Sequence, residues 1–182
     1  MRSLKKNIVV YGVLIASTFF NYPSYGGINN KEIQRLEYRT DDRFSKDDDA
    51  TLLARLIYGE ARGEFPKMKR AIGDVVINRK NKRNQTLREI ILEPNQFTCF
   101  NNGDINRNKL KKPLKYESRY TWKECLRISR ETLSTMNIDD SNGATHYYDT
   151  SIKEPKWARG KKPVLVLEKR NGKEVRFYKL DR

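Results

Sequence analysis

Apolar residues recur at helical spacing in the stretch Leu52 to Glu64, which reads LLARLIYGEARGE. Leu53, Leu56 and Ile57 form one stripe along a helix, and Glu60 falls on the same stripe because it follows Ile57 by three positions and Leu56 by four. The pattern predicts an amphipathic helix that carries a carboxylate on its apolar face.

The predicted helix runs from about Ser45 to Arg62. Ser45 and Asp48 have the spacing of a capping box at its start, and Gly63 suits a C-cap at its end. Glu60 would then lie in the last turn, where unpaired carbonyls disfavour negative charge. Apolar neighbours and the helix dipole should therefore both raise the pKa of Glu60.

Three further helices follow from the same kind of pattern. A proline at the first position and apolar residues at helical spacing predict the second helix, and a Thr-Glu capping box predicts the third. A loop rich in Asn and Gly, Asn95 to Asn108, precedes the fourth. The predicted helices are Pro66 to about Lys80, ended by Asn78 and Arg79; Leu87 to Leu92; and Tyr116 to Met136.

The C-terminal part has a different pattern. Two apolar runs, Val164 to Leu167 and Val175 to Tyr178, flank the dipeptide Asn171-Gly172. This arrangement is the strongest short-range signal for a β-hairpin. The sequence therefore predicts an α+β fold that is mainly α, with a small antiparallel hairpin at the C-terminus.

The N-terminal stretch is typical of a secretory signal peptide. Basic residues in the first six positions precede an apolar run from Ile8 to Phe20, and small residues follow near Gly26. The apolar run is short against the roughly 20 residues of a spanning helix, so we expect no stable membrane insertion after leader cleavage. We predict a signal peptide over 1–26, a polar linker over 27–44 and one catalytic domain over 45–182, exported to the periplasm, the cell wall or the extracellular space.

The formal net charge is +15, which favours binding to polyanions. Because the leader exports the chain, we expect the partner to be an acidic polymer of a bacterial envelope and not nucleic acid. Two cysteines, Cys99 and Cys125, could form one disulfide in an oxidising compartment, and we favour the bridge over two buried thiols.

Several kinds of catalytic site fit the residues poorly. His146 is the only histidine, whereas a catalytic zinc typically has about three protein ligands with histidine prominent. We therefore expect no metal and no cofactor. A Cys-His pair of His146 with Cys99 or Cys125 stays formally possible, and no nucleophile elbow, phosphate loop or dinucleotide fingerprint is present.

Carboxylate chemistry remains, and it suits glycoside cleavage. A glutamate that keeps its proton near neutral pH can act as a general acid. Glu64 follows Glu60 by four positions and would share its face on a continuous helix, which would make a two-carboxylate glycosidase possible. Gly63 and Pro66 indicate instead that the helix has ended, so that Glu64 caps the second helix or pairs with a neighbouring cation.

Four blocks in this order resemble the SleB/CwlJ-type cell-wall hydrolases, a family named for spore-cortex lytic enzymes. They are LLARLIYGEARGE, AIGDVVINR, NQFTCF and GATHYY, which cover most of Leu52 to Tyr178. The resemblance implies a lysozyme-like, mainly helical fold that acts on peptidoglycan as a lytic transglycosylase. The family's catalytic acid is the first glutamate of GEARGE, which corresponds to Glu60.

The resemblance also implies a set of substrate-binding residues in the cleft. The blocks NQFTCF and GATHYY supply them, with aromatic faces for sugar rings and polar groups for acetamido contacts, and we predict Glu64 as one more substrate-binding residue. These residues are Glu64, Gln96, Phe97, Thr145, His146, Tyr147 and Tyr148. Plain core packing is an equal alternative for Phe97 and one tyrosine.

The expected function is thus cleavage of the bond between N-acetylmuramic acid and N-acetylglucosamine in peptidoglycan glycan strands, with Glu60 as general acid and base. The alternatives are an N-acetylmuramoyl-L-alanine amidase and a basic peptidoglycan-binding module without activity. We expect a monomer. The basic C-terminal region and the lack of a separate binding repeat depart from the family and argue against a spore role.

Overall fold

The computed structural model of the protein describes residues 44–134 and 136–180. The predicted signal peptide and all of the predicted linker except Phe44 lie outside the described residues. Six α-helices and then three β-strands occur in the described part, which confirms the α+β, mainly α class. They are α1 (Asp49–Ala61), α2 (Pro66–Arg83), α3 (Leu87–Leu92), α4 (Arg107–Lys111), α5 (Pro113–Tyr116), α6 (Arg119–Leu133), β1 (His146–Asp149), β2 (Leu165–Glu168) and β3 (Glu174–Tyr178).

Helix α1 begins later than the sequence predicts. The N-cap is Asp48, whose carboxylate accepts a 2.7 Å hydrogen bond from the Thr51 amide, whereas Ser45 lies in a separate 3-10 turn. The predicted capping box at Ser45 is therefore wrong. The predicted glycine C-cap is also wrong, because Gly63 does not adopt a positive φ and the Glu64 amide bonds to the Ala61 carbonyl in an ordinary turn.

Helices α2 and α3 test two cap predictions. Pro66 stands in the first turn of α2 as predicted. The helix does not end at Arg79 but continues to Arg83, where Asn84 caps it in the left-handed conformation with φ of 52°. Basic residues in the last turn interact favourably with the partial negative charge at the C-terminal end of the helix. The box of Thr86 and Glu89 and the bounds of α3 are confirmed.

The fourth predicted helix, Tyr116 to Met136, is shorter in the structure. Ser118 accepts a hydrogen bond from the Thr121 amide and sets the start of α6. The predicted loop from Asn95 contains a 3-10 turn at Thr98–Phe100 and passes into α4 before its predicted end.

The core surrounds α1, which packs against α2, α3, α4 and α6. Its apolar side chains are almost completely buried, and Phe44, one residue before the predicted domain start, joins the same cluster. Arg55 is also fully buried on α1, where it forms a 2.9 Å ion pair with Asp47 and lies between the rings of Phe44 and Trp122. A buried cation of this kind stays tolerable only while it is paired.

The three strands form an antiparallel sheet in the order β1-β3-β2. The predicted hairpin is confirmed as β2 and β3, with Gly172 at a φ of 76° in the turn. Strand β1 was not predicted. It pairs with β3 in a register that sets Tyr147 opposite Phe177. One sheet face packs on α2 through Val175 and Phe177, and this packing brings β1 towards the end of α1.

Cys99 and Cys125 are free thiols, so the predicted disulfide is wrong. Both are buried, and burial raises the pKa of each. Their surroundings differ, because the charges of Glu60 and Asp104 also raise the pKa of Cys99, whereas the charge of Lys69 lowers and that of Glu124 raises the pKa of Cys125.

Candidate active site

Glu60 is the penultimate residue of α1 and is partly exposed. Burial raises the pKa of the Glu60 carboxyl above its usual value, and hydrogen bonds from neighbouring side chains act in the opposite direction. The structure therefore gives a carboxyl group whose pKa burial raises and which is still partly exposed.

Two side chains donate hydrogen bonds to Glu60. The Tyr147 hydroxyl lies 3.0 Å from Glu60 Oε2, and the Cys99 thiol bonds to the same carboxylate. Burial and then the charge of Glu60 hold the pKa of Tyr147 well above its usual value, so its hydroxyl keeps its proton. Both donors stabilise the ionised form of the acid and fix its orientation.

Arg79 connects three elements around this acid, and the sequence pattern had placed it at a helix end. Its side chain is 7% exposed. The guanidinium donates to the Thr145 carbonyl at 2.5 Å and to Gln96 Oε1 at 3.2 Å, and it lies 5.3 Å from the centre of the Phe97 ring. Its charge also lowers the pKa of Glu60. A basic residue on an apolar helical stripe is the sequence signal that could have identified it.

Gln96 and Phe97, predicted as cleft residues, are both held by Arg79. The Phe97 ring is 4% exposed and belongs to the main core cluster, so packing accounts for most of its surface. Gln96 is partly exposed. Of the two, Gln96 is better placed to offer a polar group to a ligand.

Thr145 and His146 lie at the start of β1, next to Arg79. Thr145 is buried and its hydroxyl lies 3.0 Å from His146 Nδ1, while it also accepts from the Leu180 amide at 3.1 Å. Burial, and then the charges of Arg79 and its neighbours, lower the pKa of His146 to about 4. The imidazole is therefore neutral at pH 7.

Tyr148 and Glu64 are directed elsewhere. Tyr148 is buried on the other face of the sheet, stacked on Tyr178 at 6.0 Å and edge-on to Trp157 at 5.9 Å. Glu64 does not cap α2; its carboxylate accepts a 3.0 Å hydrogen bond from the Arg170 amide and faces Lys169 at 3.9 Å. The structure does not bring these two side chains into contact with Glu60.

A depression of about 360 Å³ opens beside Glu60, and we call it the Glu60 depression. Arg62 crosses its rim, where it donates to Glu117 Oε1 at 3.2 Å and to Asn106 Oδ1 at 3.3 Å. Polar groups therefore surround the acid on the open side. Its lining residues are Gly59, Glu60, Ala61, Arg62, Gly63, Glu64, Asn106 and Glu117.

The described residues, 44–134 and 136–180, contain no candidate metal site and no candidate membrane-spanning helix. No group of three or more His, Cys, Asp or Glu side chains in that part of the chain is arranged to hold a metal ion. No helix there combines the length and the apolar character that crossing a membrane requires.

Comparison with known proteins gives the class of the chain. A family model described as Cell Wall Hydrolase matches residues 63–171, which is more than half of the chain. The protein therefore belongs to the cell wall hydrolases, and the predicted SleB/CwlJ-type family is confirmed. The matched range includes the glutamine-aromatic and threonine-histidine-aromatic blocks and begins just after Glu60.

One curated relative is the spore cortex-lytic enzyme of Halalkalibacterium halodurans. It is 30% identical to this chain over 132 residues, which cover 71% of this chain and 34% of the relative. The chain thus spans about a third of the length of that protein. No solved structure matches the chain.

Proposed function

We propose that the protein is a lytic transglycosylase that cleaves peptidoglycan glycan strands between N-acetylmuramic acid and N-acetylglucosamine. The observation that carries this proposal is the partly exposed Glu60, whose pKa is raised by burial, beside an open depression. Membership of the cell wall hydrolases and the spore cortex-lytic enzyme relative support peptidoglycan as the substrate.

In the proposed reaction, Glu60 first donates its proton to the glycosidic oxygen as the bond to the muramic acid C1 breaks. The carboxylate then takes the proton from the 6-hydroxyl of the same muramic acid while that oxygen bonds to C1. The products are a 1,6-anhydro muramic acid end and a free N-acetylglucosamine hydroxyl, and no water is consumed. Tyr147 and Cys99 would stabilise the carboxylate between the two steps.

This reaction needs no second carboxylate as a nucleophile, because the substrate supplies its own hydroxyl. The position of Glu64 agrees with this, because its carboxylate accepts a hydrogen bond from the Arg170 amide in the β2–β3 turn. We extend the proposal to Gln96, Thr145, His146 and Tyr147 as contributors to the cleft, whereas Phe97 packs in the core and Tyr148 on the opposite face of the sheet. We extend it also to a lysozyme-like arrangement of the helices and to export by the N-terminal leader.

Mass spectrometry of purified cell-wall sacculi digested with the protein tests the proposal. We expect muropeptides with anhydro ends from the wild type and none from Glu60→Gln, with Glu131→Gln as an active control on α6. Reducing ends would indicate hydrolysis by water, and release of free stem peptides that chelator abolishes would indicate a metal-dependent amidase. Binding to sacculi with no release would indicate a module without activity.

A further inference from the structure

A second hollow is lined by residues of α4, α5 and the residue that joins them. Its volume is about 260 Å³, and its lining residues are Asn108, Lys111, Lys112, Lys115 and Tyr116. Three of these five residues are lysines and the other two are uncharged, so the lining is strongly positive. The Tyr116 ring is 43% exposed and lies 5.7 Å from the Lys115 ammonium. We call this site the lysine hollow.

The segment that bears the lysine hollow begins and ends at the Glu60 depression. Asn106 precedes α4, Glu117 follows α5, and both line the depression. Arg62 holds these two ends by hydrogen bonds to both side chains. The buried Tyr58 hydroxyl adds a 3.3 Å bond to the carbonyl of Pro113 at the start of α5. The lysine hollow is thus fixed in position relative to Glu60.

No acidic side chain stands in the lining of the lysine hollow beside Lys112 and Lys115. Glu117, the next residue after the hollow, already forms an ion pair with Arg62. A site of this kind is suited to a carboxylate or another anion. In a peptidoglycan strand the sugar backbone is uncharged, whereas the stem peptide on each muramic acid ends in free carboxylates. A strand bound in the Glu60 depression would therefore carry a suitable anion nearby.

We propose that the lysine hollow binds stem-peptide carboxylates on the glycan strand that Glu60 cleaves. This inference rests on the proposed function and adds a substrate preference to it. The KM for peptide-bearing strands should therefore be lower than the KM for strands from which an amidase has removed the peptides. The aromatic wall of Tyr116 would pack against the peptide while the ammonium groups pair with its carboxylates.

The test compares the wild type with the double variant Lys112→Gln/Lys115→Gln on both substrates, using strands freed of phosphate-bearing polymers. We expect KM on peptide-bearing strands to rise about three- to tenfold at low salt, because partly exposed charge pairs contribute about 0.2–1 kcal/mol each. KM on peptide-free strands and kcat on both should stay the same. The effect should fade as salt rises. Lys153→Gln/Lys156→Gln, which changes two exposed lysines of the β1–β2 connection, is the matched control.

Equal loss on both substrates, or equal loss in the control variant, would overturn the inference, since either result indicates general attraction to a polyanion. A loss that appears only when phosphate-bearing polymers are left on the strands would assign the hollow to those polymers instead. Sedimentation of the inactive Glu60→Gln chain with each substrate measures binding without turnover. The inference therefore fails or holds on that result even if the cleaved bond is not the glycosidic one.

Discussion

The hydroxyl of Tyr147 on β1 donates a 3.0 Å hydrogen bond to the carboxylate of Glu60, which lies 87 positions earlier at the end of α1. The bond joins the sheet to the central helix at the side chain that we propose as the general acid. Because a carboxylate accepts such a bond more strongly than a carboxylic acid does, the bond lowers the pKa of Glu60 against the effect of burial.

Tyr147→Phe removes this donor and leaves the ring. The pKa of Glu60 should rise further, and a general acid acts only while protonated, so the alkaline limb of the pH–kcat/KM profile should move to higher pH. We also expect a roughly tenfold lower maximum, because the acid loses one of the contacts that orient it. Tyr120→Phe, at a ring that is 74% exposed, is the control. If the alkaline limb stays in place, Tyr147 does not influence the pKa of the catalytic acid.

Arg79 should affect the same profile in a way that separates its charge from its shape. Its charge lowers the pKa of Glu60, so Arg79→Met should move the alkaline limb to higher pH, while Arg79→Lys keeps the charge and should leave the limb in place. Both variants should lose about ten- to a hundredfold in kcat/KM, since neither can hold Gln96 and Thr145 together. Thermal unfolding checks that each variant folds, and an identical limb in both would contradict the electrostatic role.

Local signals in the sequence predicted α3 and the hairpin correctly. The capping box of Thr86 and Glu89 gave α3 its bounds, and Asn171-Gly172 gave the hairpin, because in both cases a few neighbouring residues satisfy the backbone groups. The end of α2 was missed, since Asn84 rather than glycine takes the left-handed position.

Features that depend on residues far apart in the chain could not be predicted from local sequence patterns. Strand β1 is only four residues long and is defined by its pairing with β3. The placement of Glu60 followed from helical spacing, but its bond to Tyr147 and the role of Arg79 depend on how the sheet packs against α2. The predicted Cys99–Cys125 disulfide was wrong for the same reason, because spacing along the chain contains no information about the distance between two thiols.

Gly59 allows α1 to pass close to the turn that carries Cys99. A methyl group at this position would lie 2.8 Å from the Cys99 sulfur and 3.0 Å from Leu110 Cδ2. Gly59→Ala should therefore lower the free energy of unfolding by about 1–2 kcal/mol, since an overpacking cost of about 1–3 kcal/mol exceeds the gain in helix propensity of up to about 1 kcal/mol. Urea unfolding measures the change. Gly63→Ala, where a methyl group would meet nothing within 4 Å, should be nearly neutral.

Activity gives a second measure of the same close approach. The Cys99 thiol bonds to Glu60, so a displaced Cys99 should reduce kcat/KM in Gly59→Ala beyond what the stability loss explains. The double variant Gly59→Ala/Cys99→Ala should recover part of the stability but not the activity. If the single variant is as stable and as active as the wild type, Gly59 has no packing role.

Asp74 is a buried acid on the side of α2 that faces the turn after α6. Burial raises its pKa to about 6, and the charges of Asp139 and Asp140 act in the same direction, against hydrogen bonds from the Asn137 side chain and the Asp140 amide. Its pKa in the unfolded chain is near 3.8. The folded state therefore disfavours the ionised form, and the stabilising contribution of Asp74 is fully present below pH 3.8 and is lost as pH rises through 6.

Asp74→Asn removes this dependence on pH. At pH 4 the variant should be less stable by about 1 kcal/mol, because the amide cannot accept both hydrogen bonds that the carboxyl accepts. Between pH 4 and pH 7 the wild type should lose up to about 3 kcal/mol through Asp74, at about 1.36 kcal/mol for each unit of pKa shift. The two unfolding curves should therefore approach or cross as pH rises. A constant difference across that range in urea unfolding would show that Asp74 has an ordinary pKa and that the turn does not disfavour its charge.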